Sequence, residues 1–489
     1  MRGLSSQDGE GLTPMISFGT DGWRGVIDDD FTEANAALVV QAAAEVWAEA
    51  GGAAARERPL VVGYDTRFNS ARVATQAAEI LAANGWRVLL ADRPVPTPLV
   101  SFSVVTVGAA GGLVVTASHN PARFNGIKLK GPFGGSASPE FTARVERALG
   151  RTPPRGADRA ARTRIEVRNL VPPYLERIGS RVEPGLRPER PLKIVADAMH
   201  GATGELFRAL VPPAWGEVEP LRADPDPLFG GVHPEPIPPH VDALAEAVRR
   251  SGADLGLAMD GDGDRLGVVA PDGRYVTPHA VLALLTRHLV QVRGGRGEVV
   301  KGFAVGVQID RVCARLGLTL HVTPIGFKHI ATLMQSRDIL IGGEESGGIG
   351  FRDHLPERDG LLSGLLVVET VVASRGTLDD LLRSLEAEAG AAAYRRRDYT
   401  LHPDLGRRLV ARLDAEPPDR IGARRVVRVD ALDGRKYWVD GEDGGAWVLV
   451  RPSGTEPILR VYVEAPRTEE VDALHRATEA LVSRLTQES

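Results

Sequence analysis

The sequence predicts a multidomain α/β protein, and three observations carry that expectation. A chain of 489 residues is longer than one hydrophobic core supports, and at roughly 150 residues per domain it holds about three or four domains. Runs rich in Val and Leu alternate with Ala-rich amphipathic stretches, the pattern of buried strands laid between covering helices. The composition is 43% hydrophobic and 25% charged, with 55 Gly and 34 Pro in no collagen-like period, so fibres and disorder are excluded.

In chain order, residues 1–14 lack the basic and apolar regions of a secretory leader and read as a tail. Strands are expected at 60–63, 87–91 and 112–116, with a helix at 70–84. The uncharged stretch 94–118 contains prolines, a Gly-Gly pair and hydroxyls, so it reads as a helix and a buried strand and not as a membrane span. A link rich in Arg, Pro and Ala follows at 150–164. The alternation resumes with strands at 192–197, 255–259 and 339–342 and helices at 240–252 and 280–292, while the proline-dense 225–239 reads as a long ordered loop. Around 389–397 the rhythm gives way to strands near Trp438 and at 447–450, then an amphipathic helix at 469–485. Three similar blocks before a different fourth are compatible with duplication. The sheets are expected to be largely parallel, with ligand loops at the carboxyl ends of strands.

Charge and cysteine content narrow the function. Lys and Arg number 59 against 64 Asp and Glu, a net −5 that leaves no general footprint for nucleic acid or an anionic membrane. The single cysteine, Cys313, allows neither an intrachain disulfide nor a cysteine zinc site, so a reducing, cytoplasmic location is expected. Walker A, Gly-x-Gly-x-x-Gly after a strand and His-Glu-x-x-His are missing, which removes support for nucleotide hydrolysis, nicotinamide chemistry and zinc proteolysis.

Four loops carry the chemistry. Thr116-Ala117-Ser118-His119-Asn120-Pro121 follows a buried strand and places a serine where a nucleophile or phosphate carrier would stand, although a Ser/Asn-rich turn fits equally. Gly-x-Ser-x-Gly is absent, and His119 is expected to be poorly placed as a base for its neighbour. Asp260-Gly261-Asp262-Gly263-Asp264-Arg265 sets three carboxylates at alternate positions, on one side of an extended segment, and hard oxygen donors favour Mg²⁺. An EF-hand would need Gly in place of Arg265 and Glu in place of Pro271. Gly342-Gly343-Glu344-Glu345-Ser346-Gly347-Gly348 brackets acids and a hydroxyl with glycines, which suits sugar hydroxyls or a flexible acidic turn. Arg451-Pro452-Ser453-Gly454-Thr455-Glu456-Pro457 offers a guanidinium, two hydroxyls and loop amides able to wrap a phosphate dianion, or else a Pro/Gly turn. Arg dominates the basic residues, so a retained lysine hints at a need for a compact ammonium. Lys128 and Lys328 are the candidates, whereas Lys193 and Lys436 are expected at the surface.

Together the four loops, with Phe18-Gly19-Thr20-Asp21-Gly22-Trp23-Arg24-Gly25, resemble the α-D-phosphohexomutase superfamily along nearly the whole chain. The resemblance implies three similar α/β domains and a smaller α+β C-terminal domain around a central cleft, with expected spans 1–160, 161–274, 275–390 and 391–489. It implies a phosphoserine at Ser118, Mg²⁺ held by Asp260, Asp262 and Asp264 with Ser118, and sugar hydroxyls gripped by Glu344 and Ser346. Arg451, Ser453, Gly454 and Thr455 would hold the distal phosphate, with Lys328 also binding substrate. Arg24, His119, Lys128 and Arg265 match family positions near the transferring phosphate, with Lys128 expected to manage protons.

The implied activity is an isomerase interconverting hexose 1- and 6-phosphates through a hexose 1,6-bisphosphate, which also serves as activator. Hexose phosphates would be its partners, with neither nucleic acid nor membrane. Thr116 is similar to the glucose and mannose mutases, whereas phosphoglucosamine mutases usually carry Ser there. Gly348 stands where dual-specificity phosphomannomutases resemble one another in carrying His, which favours glucose. A phosphoglucosamine mutase is the alternative within the superfamily, a metal-dependent sugar phosphatase is the rival activity, and a catalytically silent sugar-phosphate binder is the rival from outside the enzymes.

Overall fold

A computed structural model describes residues 16–19, 21–183, 185–400, 403–441, 445–452 and 458–487. In the first domain the strands are β1 (Trp23–Val26), β2 (Leu60–Tyr64), β3 (Val88–Ala91), β4 (Gly111–Val115), β5 (Phe124–Lys130) and β6 (Ile165–Arg168), ordered β1-β5-β4-β2-β3-β6. Helices α1 (Glu33–Gly51), α2 (Ser70–Ala83), α3 (Thr97–Thr106), α4 (Pro139–Ala148) and the short α5 (Arg159–Arg162) accompany it. Strands β3 and β4 are buried at every position, which is why they read as continuous apolar runs without alternation. Strand β6 lies beyond the expected boundary at 160, yet it pairs parallel with β3.

After α6 (Val171–Gly179) the second sheet holds β7 (Leu192–Asp197), β8 (Gly216–Leu221), β9 (Leu255–Met259), β10 (Leu266–Val269) and β11 (Tyr275–Val276), with helices α7 (Leu206–Leu210) and α8 (Asp242–Ser251). The third is built from β12 (Glu298–Gly302), β13 (Leu320–Thr323), β14 (Ile339–Gly343) and β15 (Ile349–Phe351). Its helices are α9 (Pro278–Arg287), α10 (Gln308–Leu316), α11 (Phe327–Ser336), α12 (Gly360–Ser374) and α13 (Leu378–Ala389).

The sheets are mixed, not largely parallel. The orders β3-β2-β4-β5, β8-β7-β9-β10 and β13-β12-β14-β15 are the same arrangement three times. In each, two parallel pairings are followed by one antiparallel pairing. The serine, acidic and glycine-rich loops each join the last parallel strand to its antiparallel partner, so three equivalent hairpin ends carry three different chemistries. Short strands β5, β10 and β15 were illegible because each begins inside or beside a loop motif.

The fourth domain is an antiparallel sheet of β16 (Ala393–Thr400), β17 (Arg420–Ile421), β18 (Arg424–Asp430), β19 (Arg435–Val439), β20 (Ala446–Pro452) and β21 (Ile458–Ala465), ordered β16-β21-β20-β19-β18-β17. Helices α14 (Pro403–Ala415) and α15 (Thr468–Gln487) belong to it, and Leu409, Leu413, Val471 and Leu474 pack against one face of its sheet. On the other face Trp447, Leu449 and Tyr462 pack on Phe303, Ala304 and Val307 of the third domain. Lys436 is buried in that contact, contrary to its expected surface position. Its ammonium donates to the Phe303 carbonyl at 3.0 Å and lies 3.8 Å from the Trp447 ring centroid. Lys193 is half-buried and donates to the Ser251 carbonyl at 2.9 Å.

One apolar cluster runs from Leu99 and Val100 of α3 through Ile194 and Leu257 to Leu361 and Leu365 of α12, uniting the first three domains. No single helix among the described residues is long and apolar enough to cross a membrane, and the apolar α12 is buried through most of its length.

Candidate active site

The serine loop leaves β4 under tight control. Thr116 Oγ1 donates to Asp65 Oδ2 at 2.6 Å and accepts from the Ser118 amide at 2.8 Å. Ser118 itself is buried with φ 54°, a left-handed conformation that a non-glycine residue holds only where its surroundings over-determine it. Arg67 supplies much of that determination. It pairs with Asp65 at 3.0 Å and donates to the carbonyls of Ser118 and Asn120 at 2.6 Å, Pro121 at 2.9 Å and Phe124 at 3.0 Å. Sequence reasoning missed Arg67, since one arginine in an arginine-rich chain gives little signal; the usable clue was Asp65-Thr66-Arg67 at the carboxyl end of β2.

Ser118 Oγ donates to Asp260 Oδ2 at 3.0 Å, so the first and second hairpin loops meet at the proposed phosphoryl carrier. His119 is closer than expected: its Nδ1 lies 3.3 Å from Ser118 Oγ. Burial, then the nearby Arg265, Arg24, Arg396 and Lys128, hold that imidazole well below its ordinary range, so it is neutral.

The acidic loop is a tight turn and not the extended segment expected. Gly263 has φ 70° and its amide bonds the Asp260 carbonyl at 3.0 Å, while Asp260 Oδ1 accepts from the amides of Asp264 at 2.9 Å and Arg265 at 3.1 Å. The carboxylates therefore converge by turning, and one oxygen of each lies within 4.8 Å of the others. Their outer oxygens are held by the protein. Asp262 Oδ2 accepts from Thr97 Oγ1 at 2.6 Å and Lys128 at 2.8 Å, and Asp264 Oδ2 accepts from Lys128 at 3.0 Å and Arg358 at 2.8 Å. The inner atoms, Asp262 Oδ1 and Asp264 Oδ1, are buried without a hydrogen-bond partner. Two orphaned carboxylate oxygens beside Asp260 and Ser118 are a hard donor set that fits Mg²⁺.

Electrostatics follow from that geometry. Burial, with Asp264 and Asp262 close by, pushes the Asp260 carboxyl well above its usual range. Burial also works against ionised Asp262, but Lys128 and the Thr97 hydroxyl outweigh it and hold the carboxyl below its usual range. Burial opposes the Lys128 ammonium, yet Asp21, Asp262 and Asp264 more than offset it, so the lysine keeps its proton tightly. Arg24 donates to Asn120 Oδ1 at 2.7 Å. Arg265 pairs with Glu235 at 3.3 Å and keeps a buried Nε with no partner. Glu235 also faces Arg396 of the fourth domain at 3.9 Å. Neither Glu235 nor Arg396 was legible as a site residue.

On the third loop Glu344 Oε1 accepts from the Gly326 amide at 3.0 Å, and burial pushes its carboxyl up to about 7. Ser346 is half-buried two residues on. Lys328, at the start of α11, lines a cleft of about 200 Å³ with Phe18, Gly19, Asp21 and Ser136 of the first domain. Arg451 lies near the end of β20 and donates to Asp433 Oδ1 at 2.9 Å, while Asp433 Oδ2 accepts from the Ile325 amide of the third domain at 2.9 Å. Ser453, Gly454 and Thr455 lie outside the described residues.

Three hairpin loops converging on a buried serine and three carboxylates, with a fourth domain bringing an arginine, define a phosphoryl-transfer enzyme. Comparison with known proteins places it more closely. The alpha/beta/alpha domains I, II and III of phosphoglucomutase/phosphomannomutase match residues 15–154, 172–273 and 277–388, and the C-terminal domain matches 411–481. The chain belongs to the phosphoglucomutase/phosphomannomutase family, whose members are isomerases acting as intramolecular phosphotransferases in carbohydrate metabolism.

Among its relatives, a protein of Methanothermobacter thermautotrophicus described as a probable phosphoglucosamine mutase is 32% identical, with 94% of this chain and 96% of that protein covered. A phosphoglucomutase/phosphomannomutase of Thermococcus kodakarensis is 31% identical over 92% of this chain and 95% of its own. The crystal structure of a Thermus thermophilus protein, provisionally described as a phosphomannomutase, superposes with a TM-score of 0.83 at 35% identity, covering 96% of this chain and 99% of that one.

Proposed function

We propose that this chain interconverts hexose 1-phosphates and hexose 6-phosphates through a phosphoserine at Ser118, with glucose phosphates preferred and mannose phosphates slower. The observation that carries the reading is the buried, left-handed Ser118 with its hydroxyl 3.0 Å from Asp260. The phosphoserine gives its phosphoryl group to the free hydroxyl of a hexose monophosphate: the new O–P bond forms at the sugar, the Ser118 Oγ–P bond breaks, and the proton lost by the sugar hydroxyl is balanced by the one taken up at the freed Ser118 Oγ. The resulting 1,6-bisphosphate turns over in the cleft and returns its other phosphoryl group to Ser118. Added bisphosphate activates by recharging an empty serine.

Phosphoryl transfer needs alignment and charge neutralisation more than covalent help. Asp260, Asp262 and Asp264, with Ser118, would hold Mg²⁺, which would supply positive charge at the transferring oxygens. Arg24 and Arg265 add fixed positive charge beside it. Lys128 keeps its proton under three carboxylates, so we assign it to charge and to orienting Asp262 and Asp264, in place of the proton-handling role expected from sequence. Neutral His119, its Nδ1 3.3 Å from Ser118 Oγ, is placed to orient the serine hydroxyl by hydrogen bonding. Glu344 and Ser346 grip sugar hydroxyls, Lys328 adds a cation at the rim, and Arg451 with Ser453, Gly454 and Thr455 clamps the distal phosphate.

The description of the Methanothermobacter relative favours a second reading, in which the hexose carries an amine at C2. Thr116 does not decide against it, since its hydroxyl is spent on Asp65 and the Ser118 amide, contacts that serine makes equally well. A coupled assay of glucose 1-phosphate and glucosamine 1-phosphate, each with and without a trace of its 1,6-bisphosphate, tests both. Glucose should turn over faster and respond to the bisphosphate; steady release of inorganic phosphate would instead indicate a phosphatase.

A further inference from the structure

We propose that Arg358 is a positioning residue coupling the third loop to the metal loop, and that Gly348 is glycine to let its side chain through. This rests on the phosphohexomutase reading for the identity of the sugar and metal ligands. Arg358 lies in the segment after β15 and is buried. Its Nη2 donates to Asp21 Oδ2 at 2.6 Å and Asp264 Oδ2 at 2.8 Å, and its Nη1 faces Glu344 Oε2 at 3.6 Å. One guanidinium thus touches the N-terminal signature, the metal loop and the sugar loop, which come from three domains.

The stem reaches that junction across Gly348. A Cβ there would sit 2.3 Å from Arg358 Cδ and 2.9 Å from Cγ. Gly348 is not among the residues with positive φ, so space and not backbone freedom is what its position demands. By holding Asp264 Oδ2, Arg358 leaves the orphaned Oδ1 as the oxygen turned to a cation. Partners that orient metal ligands in this way commonly shift metal affinity by about 10–100-fold. A ligand on Glu344 and a cation on Asp264 would both act on the same guanidinium, so any factor by which one changes the other's binding must be returned equally.

Mn²⁺ binding to the full-length protein without sugar, followed by electron paramagnetic resonance, tests this in wild type, Gly348→Ala, Arg358→Met and the double variant. Each single variant should bind Mn²⁺ roughly ten-fold more weakly, and the double variant should match Arg358→Met because both act through one side chain. KM for glucose 1-phosphate should rise alongside in Gly348→Ala, which removes no polar group. Should Arg358→Met not fold, Arg358→Lys replaces it, keeping the charge but not the fork that spans two carboxylates. Wild-type Mn²⁺ affinity in Gly348→Ala, or a changed KM with unchanged Mn²⁺ affinity, overturns the coupling. If wild type fails to interconvert hexose phosphates, the functional reading fails, and the sugar-free Mn²⁺ measurement still decides whether Arg358 and Gly348 set the metal loop.

Discussion

Ser118 occupies a left-handed backbone position fixed by Thr116 and Arg67, and its hydroxyl meets Asp260 and His119. Ser118→Ala should therefore leave the loop and substrate binding intact while abolishing turnover. Intact-mass spectrometry should find one phosphate on wild type at Ser118 and none on the variant, and a variant with near wild-type kcat would refute the carrier assignment. Glu344 gives a prediction in pH. Burial lifts its carboxyl from the usual value near 4.5 up to about 7, so the native state binds this proton more tightly than the unfolded chain does. Its contribution to stability is then fully present below pH 4.5 and is lost as pH rises through about 7. Glu344→Gln lacks the term, so relative to wild type it should gain on the order of 3 kcal/mol between pH 4 and pH 8. Urea unfolding midpoints at the two pH values check the sign, and parallel pH dependence in both proteins would contradict it.

At the scale of single elements, the acidic hairpin depends on two opposite demands. Its backbone must turn tightly, which Gly263 permits, and its outer carboxylate oxygens must be held so that the inner ones face one point. Asp262→Asn keeps the turn and replaces a charged donor with a neutral one. Mg²⁺ dependence should weaken by at least about ten-fold, or activity should vanish. Wild type treated with EDTA should lose activity and regain it with Mg²⁺; full activity after chelation would remove the metal from the mechanism.

For the whole molecule, the first three domains share one apolar cluster, while the fourth is attached through a smaller contact around Trp447, Phe303 and Lys436. Arg451 sits on that separately packed unit beside Asp433, which is itself tied to the Ile325 amide. Remote phosphate binding there can help draw the cleft shut around the reaction. Arg451→Ala should raise KM for the monophosphate and also lower kcat, and Arg451→Lys should recover only part, lacking the planar fork. Unchanged kinetics would mean that the distal phosphate is held elsewhere.

Sugar choice belongs to the same scale, because the proposed function assigns phosphates and hydroxyls to different domains. Glucose 1-phosphate should be best, mannose 1-phosphate slower, and galactose 1-phosphate nearly inert, since an inverted C4 leaves buried polar groups unpaired at a cost on the order of 10⁴ in kcat/KM. Measuring all three on wild type and Glu344→Ala tests the third loop. Equal glucose and galactose rates would defeat its assignment, and a strong mannose preference would defeat the reading of the sugar.

By itself the sequence determined the α/β architecture, the serine, the acidic triad and the order of the four loops, because each rests on local pattern: continuous apolar runs for buried strands, and dense short motifs at their ends. Only the tertiary structure decided what those motifs face. The convergence of the triad came from a glycine turn and from Thr97, Lys128 and Arg358, which lie far from it in sequence. Likewise the corset of Arg67 around Ser118, and the burial of Lys436 under Trp447, depend on contacts between distant segments. A charged side chain carries the same letter whether it is solvated or enclosed. Its role is set by which partners satisfy it once water is removed, and that is fixed by packing between domains.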